Sequence, residues 1–586
     1  MNFQLFKTLF YITFLAACIL FSAGCRSVKE NTADAGVDLD SGGKRMDAGN
    51  IPDAGDSDSS DPVCSDHVFE DVMIPMRDGK KLAAFARRPE ESGCRLPVIL
   101  VQTPYDKENF RDLYFGENAG EHPLFSDMSY AFVVVDWRGF FASMDAAEPG
   151  VQPSYEDDGY DSVEWAAAQE WSDGNVGTWG VSALCGQQYK TAVLNPPHMK
   201  AAVPIFCAMN ISYGQYYPGG VLRKEYMDFI DSYYGGGVVK DHPYNDAVWD
   251  YAGKLYRHAD VQVPMLVVAG WFDLYNKGTL FDFMKLKGES DQSVQEKHRL
   301  LAGDWIHFAT GGESGGAGRP FNEQELKYVD TGYIIQEQSV KFFDLHLKGK
   351  ESEAAGWAPV RYIRAGDKEW GEADTWPPEG LASREYVLNA DGTLTVSSGP
   401  AGELSFTYDP EDPSPTRGGS TLMPDMLHGP MDQKDVLERN DNVVFTTAPL
   451  EQDLVVLGEI RIDLLVKTTA EDTDFAARLT DVDEDGVHLL LNEGIQRLKL
   501  RESFSRVSEV VPGTAYEISI VCPNEIAYKF PRGHRIGLII TSSNYERFDR
   551  NQNNGNNFYD EDDTSVVARN TLVLNGKSKL ILSIDD

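Results

Sequence analysis

The chain has little positive charge for its size. Its 586 residues include 53 Lys and Arg against 92 Asp and Glu, which gives a formal net charge of −39. A surface of this sign repels nucleic-acid phosphates and offers no basic patch to an anionic membrane. We therefore expect no nucleic-acid partner, and we expect an acidic, water-exposed surface instead.

Metal-binding patterns are also missing. The chain has only 7 cysteines, and their spacing does not suggest a zinc site. The segment 481–492, DVDEDGVHLLLN, has the first carboxylates of a calcium loop, but Asn492 stands where such a loop needs a Glu. Strand-like patterns flank this segment, so we predict a hairpin turn there and no metal site.

The apolar run at the start of the chain, LFYITFLAACILF at 9–21, is too short for a stable transmembrane helix. Lys7 precedes it, and the small residues of SAGC at 22–25 end in Cys25. This pattern is typical of a bacterial lipoprotein signal, so we expect residues 1–24 to be removed and Cys25 to be lipidated. The alternative is an ordinary cleaved signal peptide, and both interpretations predict export to a periplasmic or cell-surface location.

Residues 25–62 contain few apolar side chains. Asp, Ala, Gly and Ser dominate the segment, and the triplet DAG recurs within it. Such a composition buries too little apolar surface to offset the entropy lost on ordering. We predict a disordered tether that holds the folded part away from a membrane surface.

The rest of the chain is too long for one ordinary core and has two different patterns. In 63–355, apolar strand-like runs alternate with helical patterns, which indicates an α/β domain with a mostly parallel, doubly wound sheet. Residues 208–260 are rich in Tyr and Gly and predict a small cap over its carboxyl edge. From 356 to 586, short strands separated by turns predict an all-β sandwich or jelly roll. The expected α/β strands are 96–105, 130–139, 175–182, 200–207, 263–273 and 298–307.

Two pairs of cysteines are disulfide candidates. Residues 67–89 predict two strands around an Asp-Gly turn, and Cys64 and Cys94 lie almost symmetrically about that turn. We predict a bridge between them across the open end of the hairpin. Cys185 and Cys207 are a second possible pair, and the export predicted above permits disulfides.

Three side chains meet the requirements of a serine nucleophile with its base and carboxylate. Ser182 follows the strand-like run NVGTWGV, Asp273 follows VPMLVVAG, and His307 follows RLLAG. All three lie just past predicted strand ends, where the chemistry of such sheets gathers, and they occur in the order Ser, Asp, His that α/β-hydrolases use. We predict that they form a catalytic triad.

An oxyanion hole is needed beside the nucleophile. The backbone N–H of Ala183, the residue after Ser182, supplies one donor. Tyr105, in the loop after the strand that ends near residue 102, can supply a hydroxyl as the second donor. A tyrosine that merely packs in a turn beside Pro104 is the alternative, and the residues alone leave both open.

Seven segments of the chain resemble the CocE/NonD hydrolase family, the cocaine esterase and glutaryl-acylase group, which is related to X-Pro dipeptidyl-peptidases. They occur in family order from residue 65 onward and are QTPYDK (102–107), DWRGFFAS (136–143), DGNVGTWGVSALCG (173–186), AGWFD (269–273), EWGEADTWPP (369–378), DTDFAARLTDV (472–482) and FPRGHRIGLIITSSNYERFDRNQNNG (530–555).

The resemblance implies an α/β-hydrolase fold with a small helical cap, followed by a jelly-roll domain of the galactose-binding type. It implies Ser182, His307 and Asp273 as the triad and favours Tyr105 as an oxyanion donor. Such an enzyme forms an acyl-enzyme with a small-molecule ester, an amide or a peptide and needs no cofactor. Cys185 departs from the family, which usually has glycine there; a bridge from Cys185 would pin the nucleophile turn.

Two other functions remain as alternatives. An X-Pro dipeptidyl-peptidase would use the same triad on peptides. A non-catalytic lipoprotein that binds surface glycans through the β domain belongs to a different class, and the complete triad argues against it.

Overall fold

The structure is a computed structural model. It describes residues 64, 66–116, 119–151, 153–234, 237–308, 322–329, 332–423, 425–556, 558 and 564–585. The predicted signal peptide and tether, with Cys25, lie outside the described residues. Among the residues that the structure describes, no helix is both long and apolar enough to cross a membrane.

A ten-stranded sheet lies at the centre of the first domain. Its strands are β1 (His67–Pro75), β2 (Lys81–Pro89), β3 (Leu96–Thr103), β4 (Ala131–Asp136), β5 (Ser172–Val181), β6 (Met199–Ile205), β7 (Leu266–Phe272), β8 (Arg299–Ile306), β9 (Val360–Ile363) and β10 (Trp370–Ala373). Their order in the sheet is β1-β2-β4-β3-β5-β6-β7-β8-β9-β10. Neighbours from β4 to β9 run parallel, which confirms the predicted α/β sheet.

Strands β3, β4 and β7 consist mainly of apolar residues. Every residue of β3 and of β4 is buried, so both faces of the sheet are covered. The α-helices of the described chain are α1 (Lys107–Phe115), α2 (Pro123–Ser126), α3 (Tyr155–Ala167), α4 (Ala183–Ala192), α5 (Tyr213–Tyr216), α6 (Lys224–Tyr234), α7 (Gly237–Asp241), α8 (Ala247–Ala252), α9 (Asn276–Glu289), α10 (Glu323–Val329), α11 (Gly332–Leu347) and α12 (Lys434–Leu437).

The change of sequence pattern predicts a domain boundary at residue 355. The first sheet continues beyond that residue. β9 pairs in parallel with β8, with Val360 opposite Leu300, and β10 pairs with β9. Each of these two strands has four residues, too few for a periodic pattern to assign them to one domain or the other. Their place in the first sheet is set by the pairing of β9 with β8, a strand that is distant in the sequence.

The second domain is all-β, as predicted. Two antiparallel sheets account for its strands: an eight-stranded sheet and a four-stranded sheet. The segment 481–492 spans the turn between two strands of the smaller sheet, and this confirms the predicted hairpin. The strands are β11 (Ala382–Leu388), β12 (Leu394–Thr395), β13 (Gly402–Tyr408), β14 (Val443–Thr446), β15 (Leu454–Thr468), β16 (Asp474–Val482), β17 (His488–Arg497), β18 (Tyr516–Val521), β19 (Ile526–Phe530), β20 (Arg535–Thr541), β21 (Ala568–Leu574) and β22 (Lys579–Asp585).

The insertion at 208–260 carries four short helices, α5 to α8. Its buried tyrosines form an apolar cluster with Leu274, which follows β7, and Phe308, which follows β8, packs against the same cluster. The insertion therefore lies over the carboxyl ends of β7 and β8, where a cap would cover the site.

Both cysteine pairs are bridged in the structure. Cys64 bonds to Cys94, with 6.3 Å between their Cα atoms, and so closes the open end of the hairpin formed by β1 and β2. Cys185 bonds to Cys207. Cys522 is a buried free thiol.

Candidate active site

Ser182 lies on a sharp turn between β5 and α4. Its φ is 60° and its ψ is −119°, a backbone conformation that residues other than glycine rarely adopt. Its N–H donates to the carbonyl of Ile205 at 2.9 Å, and its own carbonyl accepts from the N–H of Cys185 at 3.0 Å. A side chain at position 180 would meet Leu184 Cβ at 2.4 Å, so the turn needs Gly180. A strained strand-to-helix turn of this kind has the form of a nucleophile elbow.

The disulfide ties this turn to the neighbouring strand. Cys185 lies in the first turn of α4, and Cys207 follows the end of β6 by two residues. The carbonyl of Cys207 accepts a hydrogen bond of 2.8 Å from Thr279 Oγ1. The bridge therefore links the first turn of α4 covalently to the segment that follows β6.

His307 and Asp273 form a buried pair. His307 Nδ1 lies 2.5 Å from Asp273 Oδ2, and the two residues are 5% and 0% exposed. The other carboxylate oxygen of Asp273 accepts the N–H of Tyr275 at 2.8 Å. A neutral imidazole that donates its Nδ1–H to this carboxylate leaves Nε2 available as a base.

Strand register brings the three predicted triad residues to one edge of the sheet. Val181 pairs with Ile205, Ile205 with Val268, and Phe272 with Ile306. Ser182, Asp273 and His307 each follow directly on one of these strands.

A ring contact links the histidine to the end of β6. Phe206, the residue after the acceptor of the Ser182 N–H, has its ring centroid 6.3 Å from that of the His307 imidazole. The hydroxyl and the imidazole therefore lie at the same carboxyl end of the sheet.

Tyr105 and Ala183 contact the same buried cluster, and Ala183 directly follows Ser182. Ala183 belongs to a buried cluster with Trp137, Phe140 and Tyr155, and Tyr105 packs against that cluster. Ala183 is the first residue of α4, so its backbone N–H has no acceptor within that helix. Tyr105 and Ala183, the two predicted oxyanion donors, therefore contact the same buried cluster next to Ser182 in the fold.

Asp136 supports the loop that carries Tyr105. It is fully buried and accepts the backbone N–H of Lys107 at 2.8 Å and that of Ala142 at 3.2 Å. Burial raises its pKa to about 6, and the two N–H donors oppose this effect. The carboxyl thus fixes the start of α1, two residues after Tyr105.

The sequence analysis missed a group of tyrosines on the cap side of the site. The ring of Tyr275 lies 5.7 Å from the His307 imidazole, and its hydroxyl is 2.9 Å from the hydroxyl of Tyr226. Burial raises the pKa of Tyr275 well above its usual value, and the nearby hydroxyl of Tyr216 adds to this. The Tyr-rich composition of 208–260 was the available signal, but nothing in it pointed to Tyr275.

In the part of the chain that the structure describes, no group of three or more His, Cys, Asp or Glu is placed to hold a metal ion. The chemistry that the described arrangement supports is acyl transfer. A serine on a strained turn and a histidine oriented by a carboxylate are parts that this reaction uses.

Two family models match the chain. Residues 78–239 match the model described as X-Pro dipeptidyl-peptidase (S15 family). Residues 354–581 match the X-Pro dipeptidyl-peptidase C-terminal non-catalytic domain.

Curated relatives and solved structures cover most of the chain. A cocaine esterase from Rhodococcus sp. is 31% identical over 572 residues, which are 86% of this chain and 94% of the relative. A putative serine esterase from Mycobacterium tuberculosis is 24% identical, covering 82% and 91%. An aminopeptidase structure from a Thaumarchaeota archaeon has a TM-score of 0.73 at 21% identity, covering 92% and 99%.

A CocE/NonD family hydrolase structure from Staphylococcus aureus has a TM-score of 0.63 at 20% identity, covering 89% of this chain and 94% of that one. These structures show that the two-domain fold is shared. The 31% identity to an esterase over nearly the whole chain shows the family as well as the fold. The chain belongs to the CocE/NonD family of serine hydrolases, which act on ester or amide bonds.

Proposed function

We propose that Ser182, His307 and Asp273 are the catalytic triad of an esterase. The observation that carries the proposal is the 2.5 Å contact of His307 Nδ1 with Asp273 Oδ2, at the sheet edge that also holds the strained Ser182 turn. The contact provides both the tautomer and the orientation that a general base requires.

In the proposed reaction, Ser182 Oγ bonds to the substrate carbonyl carbon while His307 Nε2 takes the hydroxyl proton. The Ala183 N–H and the Tyr105 hydroxyl donate to the oxyanion that forms. His307 then gives its proton to the leaving group as the bond to the carbonyl carbon breaks, which leaves an acyl-serine. Water, deprotonated by the same imidazole, releases the acid and restores the serine.

The substrate class has two candidates. The relative with 31% identity is an esterase, which favours an acyl ester. Both family models bear the name of X-Pro dipeptidyl-peptidases, which favours a peptide with proline in second place. We propose the ester as the preferred substrate.

A panel of substrates separates the two candidates. The protein beginning at residue 63 is assayed with p-nitrophenyl esters of short and aromatic acids and with Gly-Pro-p-nitroanilide. We expect kcat/KM to be highest for an ester and to be lost in Ser182→Ala. Turnover of the anilide without turnover of any ester would replace the esterase proposal by the peptidase.

We also propose that the protein is exported and anchored by a lipid on Cys25. The apolar run at 9–21 and the SAGC sequence before the cleavage point support this. In a bacterial host, the full chain is expected in the membrane fraction, whereas Cys25→Ala should lose lipidation and leave that fraction. The same distribution for both proteins would contradict the anchor.

A further inference from the structure

The turn that carries Asp273 is held from the all-β domain. Asn524 lies between β18 and β19 and is 3% exposed. Its Nδ2 is 3.0 Å from the carbonyl oxygens of both Trp271 and Asp273, and 2.6 Å from Ser420 Oγ. About 250 residues of sequence separate the amide from the turn that it contacts.

A second contact reaches the same turn. The N–H of Glu525 donates to Asn276 Oδ1 at 2.8 Å, and Asn276 Nδ2 donates to the carbonyl of Gly270 at 2.9 Å. The carbonyls of Gly270 and Asp273 each accept a backbone N–H within the turn, from Asp273 at 3.3 Å and from Asn276 at 3.2 Å. The amides of Asn524 and Asn276 add side-chain donors to the carbonyls of residues 270, 271 and 273, so Asn524 holds the turn from the all-β domain in addition to the turn's own backbone bonds.

These contacts determine where the Asp273 carboxylate points. The residue is fully buried, and its two oxygens already hold His307 Nδ1 and the Tyr275 N–H. The carboxylate can keep this position only while its own backbone stays in place. A displacement of about 1 Å at such a group costs on the order of a hundredfold in rate.

We propose that Asn524 is a positioning residue for Asp273. The all-β domain then takes part in catalysis without contributing a group that touches the substrate, because its amide fixes the turn that orients the base. The inference rests on the proposed triad.

The test compares Asn524→Leu with a matched variant. Leu has nearly the size of Asn and no N–H donor. Asn570→Leu is the control: Asn570 is equally buried, but its amide bonds only to Thr473 Oγ1 and Ser542 Oγ inside the all-β domain. For both variants, kcat and KM on the preferred ester are measured, together with the downfield proton resonance of the His307 Nδ1–H.

We expect Asn524→Leu to lose about ten- to a hundredfold in kcat, with KM within twofold and with the His307 resonance shifted or lost. Asn570→Leu should keep both the wild-type kcat and the resonance, even where its unfolding temperature falls. If Asn524→Leu does not fold, Asn524→Asp keeps the size of the side chain, loses the donor when ionised, and carries the same expectation.

A folded Asn524 variant with the kcat and the resonance of Asn570→Leu would overturn the positioning role. Failure of the triad itself has a different result, because Ser182→Ala would then keep wild-type turnover.

Discussion

Ser182 holds a backbone conformation that costs on the order of 1–3 kcal/mol in a residue other than glycine. The hydrogen bond that its N–H donates, the one that its carbonyl accepts, and the bridge from Cys185 to Cys207 offset that cost. The Ser182 side chain makes no capping hydrogen bond to the helix that follows, which agrees with its proposed role as nucleophile. At the scale of single residues, the proposed function depends on a few side chains, and the contacts that hold each of them can be named.

Tyr105 offers a direct test at the residue scale. Tyr105→Phe removes the phenol donor and keeps the ring that packs against the cluster around Ala183. We expect kcat to fall by about a hundredfold and KM to change little, because an oxyanion donor acts mainly in the transition state. Steady-state kinetics on the preferred ester measure both constants.

The matched control is Tyr408→Phe, since the Tyr408 hydroxyl is buried in the all-β domain and donates to the carbonyl of Asn551. It should leave kcat unchanged. A Tyr105→Phe enzyme with kcat within threefold of wild type would show that the hydroxyl does not hold the oxyanion.

Lys190 lies on the helix of the nucleophile and is 7% exposed. Its Nζ lies 5.6 Å from the centre of the Trp137 ring and 5.3 Å from that of Tyr155. Burial lowers its pKa to about 8, and Glu156 opposes this effect. The folded state therefore releases this proton at lower pH than the unfolded state, so the free energy of unfolding should rise between pH 8 and about pH 10.5.

Lys190→Met is expected to stabilise the protein by about 1–3 kcal/mol at pH 7, where wild type holds a buried charge. The gain should shrink as the pH rises through 8, because the wild-type lysine then becomes neutral. Denaturant unfolding at pH 7 and at pH 10 measures the difference. Lys81→Met, at an exposed position, should show no such pH dependence; a gain from Lys190→Met that is equal at both pH values would contradict the account.

At the scale of helices and strands, the sequence patterns located the strands that Ser182, Asp273 and His307 follow. Strands β5, β7 and β8 have seven residues or more, and each ends in buried or partly buried apolar residues, so their carboxyl ends could be predicted. Parallel strands bring those ends together, and this is why Ser182, Asp273 and His307 could be proposed as one site. β9 and β10 are short and were not assigned to this sheet.

The bridge between Cys185 and Cys207 links two of these elements, α4 and the end of β6. Replacing both cysteines by alanine should lower the free energy of unfolding by about 2–4 kcal/mol. It should also reduce kcat, because the bridge lies within one helical turn of Ser182. Replacing Cys64 and Cys94 together is the control.

The control pair closes a hairpin far from Ser182 in the sheet order, since β1 is the first strand and β5 the fifth. It should lower the free energy of unfolding and leave kcat unchanged. If the two double variants changed kcat equally, the bridge between Cys185 and Cys207 would have no specific role at the Ser182 turn.

At the scale of the whole molecule, the two domains meet around the Asp273 turn. Asn524 reaches it from the all-β domain, and Arg223 of the cap donates to the carbonyl of Ser420 at 3.0 Å. Such contacts join residues that are far apart along the chain and have no local pattern, so sequence analysis could not predict them. It could predict groups that follow strand ends, but not the groups that fix those strand ends from another domain.

The central claim concerns Ser182 as the nucleophile of the whole protein. The direct measurement is labelling with a fluorophosphonate probe, followed by mass spectrometry to locate the modified residue. We predict a single adduct on Ser182 in wild type, none in Ser182→Ala, and strongly slowed labelling in His307→Ala. Equal labelling of wild type and Ser182→Ala, or an adduct on another serine, would contradict the account.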